Sequence, residues 1–166
     1  MRCGVFASLG LSLTVLLLGQ QTTSSSKEYV YSQDGFAITL PAPPSIWNDP
    51  ALRTSTNYTQ HPTSDIIMNV IVIREIKDCP ADLASWEKAM REQVGAEFVK
   101  RILVNGHSAV EYESKGYQGD RIFGRFFCEN GTHYALGGSW PVGDPRPAIL
   151  TQIVDSFRLL SDAAHK

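Results

Sequence analysis

His107, Glu111 and Glu113 come nearest to a reactive set in this sequence, because their even spacing along a strand-like stretch would project all three from one face. An imidazole beside two carboxylates could serve acid-base chemistry or hold a metal ion, as a small hydrolase or metal-dependent enzyme would require. The same spacing has a structural reading: the stripe faces Arg121 and Arg125 on a neighbouring strand, each opposite-charge pair adding roughly a few tenths of a kcal/mol. We take the structural reading first and keep an enzyme using His107 with Glu111 or Glu113 as the alternative. His61 and His133 stand alone, outside any His-x-x-x-His or Cys-x-x-Cys pattern, so no metal or other cofactor is expected. A serine hydrolase of the Gly-x-Ser-x-Gly kind has no counterpart here. Gly137-Gly138-Ser139 lacks the phosphate-cradling lysine and leads into no helix, and reads as a strand end or bulge.

Binding is the other chemistry open to the chain. Trp47, Trp86 and Trp140, with Phe123, Phe126, Phe127 and Tyr134, are core residues by default. Trp47 and Trp140 lie beside prolines in loop-like sequence, where a large ring is less surely buried, and with Tyr134 they are the candidates for contacting a protein or small ligand. The triplets at Asn57 and Asn130 match the glycosylation sequon, which matters only in a eukaryotic secretory pathway.

Composition narrows the setting. With 166 residues, 43% apolar and 19% charged, the chain has the size and apolar content of one folded domain and too little charge for a disordered one. Arg2 is the only charge before Lys27, and Val5–Leu18 is an apolar run followed by small polar residues from Gly19 to Ser26. That is a signal-peptide layout, too short and too interrupted for a convincing membrane span, although it shows no Ala-x-Ala cleavage site. Residues 1–26 are therefore read as signal peptide and polar linker, 27–160 as a single domain and 161–166 as a tail, in a secreted or periplasmic protein. An uncleaved anchor is the alternative. Cys3 precedes the apolar run and cannot carry a lipoprotein lipid. Without Arg2 the charge balance is 14 minus 17, or −3, with no basic run to neutralise several phosphates, which excludes nucleic acid as a partner. Cys79 and Cys128 remain; in an oxidising compartment they either pair or stay as two buried thiols.

The elements that must position these residues follow from turn chemistry. Asp34-Gly35, Asn105-Gly106 and Asn130-Gly131 each supply the positive φ angles of two-residue hairpins between strand-like runs. They predict Tyr29–Ser32 against Phe36–Leu40, and a four-strand meander over Phe98–Val104, His107–Glu113, Arg121–Glu129 and Thr132–Leu136, with a further turn at Lys115–Gly119. Asp65–Ile76 reads as a central strand with both faces covered. Apolar spacing predicts a helix over Asp82–Val94 with Leu83, Trp86, Met90 and Val94 inward, and another over Arg146–Ser156 with Ile149, Ile153 and Phe157 inward. A helical turn is expected at Ile46–Leu52. Together these give an α+β fold: an antiparallel sheet of about six or more strands with helices on both faces.

The Tyr31–Pro41 segment (YSQDGFAITLP), the Trp86-bearing helix, the Asn105–Tyr112 hairpin (NGHSAVEY) and the closing Ile153–Arg158 (IVDSFR) resemble the PsbP-like superfamily. It takes in the extrinsic photosystem subunit, the Mog nuclear-import factor and envelope proteins similar to DcrB. The resemblance spans nearly all of residues 27–160 through short structural motifs. It implies an antiparallel sheet between helical layers and a non-catalytic accessory or binding role in the cell envelope.

Overall fold

A computed structural model describes residues 26–48, 55–92, 94–116 and 119–160. The expected signal peptide and the C-terminal tail lie outside the described residues, among which no helix is long and apolar enough to cross a membrane. In chain order the elements are β1 (Lys27–Tyr31), β2 (Phe36–Leu40), β3 (Ser45–Asn48), β4 (Ser55–Thr63), β5 (Ile66–Ile73), α1 (Cys79–Glu92), β6 (Phe98–Val104), β7 (His107–Lys115), β8 (Arg121–Glu129), β9 (Thr132–Trp140), α2 (Ala148–Ser156) and β10 (Arg158–Leu159). Strands 3 to 9 form one antiparallel sheet of seven in the order β3-β4-β5-β9-β8-β7-β6, and β1-β2-β10 form a second, small one.

Local turn chemistry sets the meander. Asn105 and Gly106 have φ of 52° and 87°, and Val104 pairs directly with His107. Asn130 and Gly131, at 48° and 74°, do the same between Glu129 and Thr132. Both are the left-handed reversals whose twist matches that of paired strands. The Asp34-Gly35 reversal is wider than expected: Tyr31 pairs with Phe36 across a short 3-10 turn at Ser32–Asp34, and Gly35 (φ 72°) returns the chain to β2. The predicted helical turn at Ile46–Leu52 is not there at its start, because Ser45–Asn48 pairs with β4 as an edge strand; residues 49–52 lie outside the described residues.

One face of the large sheet packs against β2 and α2. Phe36, Ile38, Met68, Val70, Phe123, Phe127, Tyr134, Leu136, Trp140, Leu150, Ile153, Val154 and Phe157 fill that layer. Each such side chain removed from water is worth roughly 1.5–3 kcal/mol before entropy is counted, so this layer is the main source of stability. In α2 the buried side chains are Leu150, Ile153 and Val154, while Ile149 is half-buried and Phe157 follows the helix. On the other face α1 lies over β6–β9, packing Leu83, Met90 and Trp86 on Val110, Phe126 and Ala135. It begins earlier than periodicity suggests, since the Asp78 carboxylate accepts from Ala81 N–H at 3.0 Å. It stops before Val94, which is 45% exposed.

Because α1 does not extend over β5, that strand is covered on one face only among the described residues. Ile66, Met68, Val70 and Val72 are buried, whereas Ile67 is 40% exposed and Ile71 and Ile73 are half-buried. The doubly covered central strand expected over Asp65–Ile76 is thus corrected: the middle position belongs to β9. Gly137 and Gly138 lie within β9, not at its end or in a bulge. A Cβ on Gly137 would come 2.4 Å from the Phe123 carbonyl oxygen, and one on Gly138 equally close to that of Ile67, so close backbone approach is what requires glycine there.

Candidate functional site

One polar cluster with a buried carboxylate at its centre was not foreseen from the sequence. Asp34, at the end of the 3-10 turn, is buried where the small sheet meets the large one. Its carboxylate accepts from the Tyr58 hydroxyl and from Arg74 just beyond β5. Arg74 also donates to Thr56 Oγ1 at 3.0 Å, and the Tyr134 hydroxyl donates to the Asp34 carbonyl at 2.9 Å. Burial, reinforced by the adjoining carboxylate, raises the Tyr58 phenol, and burial raises that of Tyr134. Both remain protonated donors at neutral pH, which suits them to clamping the Asp34 loop and not to acting as bases.

Two clefts flank this clamp. One, of about 950 Å³, lies between β1 and the β3–β4 edge, lined by Val30, Tyr31, Ile46, Asn48, Tyr58 and Arg74. The other, of about 230 Å³, lies on the far side of Asp34 beside Thr132 and Tyr134. Val30 and Ile46 are 51% and 55% exposed, so the larger cleft has an apolar rim above a charged, hydrogen-bonded floor. Arg74 closing an apolar strand was the available sequence signal; its partner, 40 residues away, was not readable.

The His107, Glu111 and Glu113 stripe is on one face of β7, as spacing requires, but its members do not converge on a common point. Arg125 Nε–H donates to Glu111 Oε2 at 2.8 Å, Lys100 Nζ is 3.2 Å from Glu111 Oε1, and Arg121 pairs with Glu113. His107 turns instead to Glu129, with Nδ1 at 3.1 Å from Oε2. Burial alone would raise Glu111, yet the hydrogen bonds from Arg125 and Lys100 outweigh it and hold the carboxyl below the ordinary range. Among the described residues no group of three His, Cys, Asp or Glu side chains could hold a metal ion.

The remaining candidates separate cleanly. Trp47 is 50% exposed on the edge strand β3. Trp140 is 2% exposed, the last residue of β9, with its indole N–H donated to the Asp144 carbonyl at 3.0 Å; its expected place on a surface loop is corrected by this burial. Tyr134 is 5% exposed and reaches the smaller cleft through its ring edge and hydroxyl. Cys79 and Cys128 are joined as a disulfide with Cα atoms 5.1 Å apart, tying the start of α1 to the end of β8. Beside it His133, fully buried, has Nδ1 at 2.5 Å from Asp82 Oδ2 and lies against the Trp86 ring. Of the two sequons, Asn57 is 7% exposed within β4, while Asn130 is exposed in its turn.

No family model matches the sequence, and no curated protein matches it. Among solved structures, the chain is similar to the solution structure of cyanobacterial PsbP (CyanoP) from Synechocystis sp. PCC 6803, at 11% identity and a TM-score of 0.58, over 85% of this chain and 96% of that one. It is also similar to a crystal structure from Bacteroides thetaiotaomicron VPI-5482, at 8% identity and a TM-score of 0.52, over 82% of this chain and 49% of the other, so it spans about half of that protein's length. At such identities the likeness is one of architecture: the chain has a PsbP-like fold, a seven-stranded antiparallel sheet between helical layers.

Proposed function

We propose that the chain is an exported, non-enzymatic binding domain that receives a segment of another envelope protein along β3 and in the 950 Å³ cleft beside it. The observation that carries this reading is the edge strand itself. Ile46 and Trp47 are adjacent, point to opposite sides of β3 and are 55% and 50% exposed. β3 ends the strand order of the large sheet, and an edge strand with exposed apolar side chains is a ready template for an added strand. Ile46 and Val30 would receive apolar side chains of the partner, and Arg74 and Asp34 would set polarity at the cleft floor. The paired state of every member of the His107, Glu111 and Glu113 stripe supports binding over catalysis.

Export rests on the apolar run Val5–Leu18 and on the Cys79–Cys128 pairing, which suits an oxidising compartment. The test is affinity capture from a cell-envelope fraction with the tagged chain, beside an Ile46→Asp/Trp47→Ala variant of equal melting temperature. A specific partner should fall about tenfold or more with the variant, as expected when central aromatic and apolar anchors are removed. An unchanged set of captured proteins would overturn the β3 surface.

A further inference from the structure

The large sheet has a second recess, on the opposite side of β5 from the cleft just described. Cross-strand pairs place Thr59, Asn69, Gly137, Gly124 and Tyr112 in one continuous row from β4 to β7, with Ser139 and Ile122 paired in the next row. α1 covers this face around Ala135, Phe126, Val110 and Val99, with Tyr112 stacked on Phe126 at the border, and beyond that footprint a cleft of about 220 Å³ is left over the glycines. The Tyr112 ring fills the space above Gly124, where a Cβ would meet its hydroxyl oxygen at 2.8 Å, so that hydroxyl lies over Gly124, the cross-strand neighbour of Gly137.

Three polar groups surround that bare backbone. Asn69 lies directly opposite Gly137; its Oδ1 accepts from Thr59 Oγ1 at 2.8 Å, which orients the side chain and leaves the amide N–H groups for another acceptor. Ser139 is two residues along β9, about 7 Å away. The Asn69 amide nitrogen and the Tyr112 and Ser139 hydroxyls have no hydrogen-bond partner among the described residues. Ile71 and Ile122 supply apolar flanks, and none of the described residues lining the recess carries a formal charge. The opposite face of the meander, by contrast, carries Lys100, Glu111, Glu113, Arg121 and Arg125 in ion pairs.

We propose that this recess binds an uncharged carbohydrate unit. A neutral floor disfavours ionic ligands, whose desolvation it could not offset. Two hydroxyls and an amide around a flat strip of backbone and ring suit a ligand whose hydroxyls both donate and accept and whose ring faces are apolar. The volume is below the roughly 300–1,000 Å³ of drug-sized pockets and admits a single sugar ring of a longer chain.

The experiment is an array of neutral and acidic glycans probed with the whole mature domain, followed by amide-resolved NMR titration with the best neutral oligosaccharide. Shifts should centre on Asn69, Gly137, Gly138 and Ser139. Tyr112→Phe keeps the ring over Gly124 and removes only the hydroxyl; it and Asn69→Ala should each weaken binding about tenfold. Capture of acidic glycans alone, or of nothing on the array, would each overturn the proposal. So would a Tyr112→Phe variant and an Asn69→Ala variant that both bind as tightly as the parent.

Discussion

Across β6, β7 and β8 charges are paired at close range: Arg101 with Glu87 at 2.8 Å, Arg121 with Glu97 at 2.8 Å, and Arg125 with both Glu111 and Asp155 at 2.8 Å. At the β3–β5 end Arg74 pairs with Asp34, and Ile46, Trp47 and Ile67 are 40–55% exposed. The first region leaves little polar capacity unspent, and its exposed pairs are worth about 0.2–1 kcal/mol each, so they tune register and solubility more than stability. Exposed apolar side chains occur at both ends, Leu103 (74%) and Phe98 (43%) on β6 included, but at the second end they border the cleft of about 950 Å³, which is why the proposed docking is placed there. What looked reactive in the sequence is therefore the end whose charges are already paired, and the proposed docking falls at the quieter end.

Several substitutions test this contrast. The largest effect is expected at the packed layer that both ends share: Trp140→Ala should cost about 3–5 kcal/mol in denaturant unfolding, by removing a ring that is 2% exposed. A cost below about 1 kcal/mol would return Trp140 to the list of surface candidates. Next comes the fastener of the charged end. Cys79 and Cys128 are 49 residues apart, and opening that loop by reduction or by a paired Cys→Ser change should cost about 4 kcal/mol, read as a lowered denaturation midpoint.

A smaller effect belongs to pH. Burial holds the His133 pKa below its ordinary value despite Asp82, so in mild acid the unfolded chain binds a proton that the folded one resists. That contribution to stability is complete above the unfolded value of about 6.5 and is lost as pH falls below it. Unfolding free energy measured from pH 7.5 to 5 should decline, and His133→Gln should flatten that decline. The smallest effect is at the open end: Trp47→Ala should change stability by no more than about 0.5 kcal/mol, because the ring is 50% exposed, while reducing partner capture. A large loss of stability there would mean that Trp47 is packed, and the contrast between the two ends would fail.

Much of the fold was readable because its signals are local. Asn105-Gly106 and Asn130-Gly131 fixed two hairpins, and the Leu83, Trp86 and Met90 stripe fixed the inward side of α1. The site was far less readable. Trp47 and Trp140 have similar proline-rich surroundings, yet one is on an open edge and the other beneath α2, a distinction made by strand order. β10 is two residues long and exists only because β2 is there to pair with it.

Composition, turn dipeptides and apolar period determined on their own that this chain makes an antiparallel sheet with amphipathic helices, since those properties act over a few residues. Tertiary structure alone decided that Asp34 meets Arg74 and Tyr58, that His107 turns to Glu129, and that α1 leaves the glycine-floored strip of β9 uncovered. Such contacts depend on the order and length of strands brought together from distant parts of the chain. No local pattern encodes that order, because the free energy that selects it comes from burying the whole layer at once.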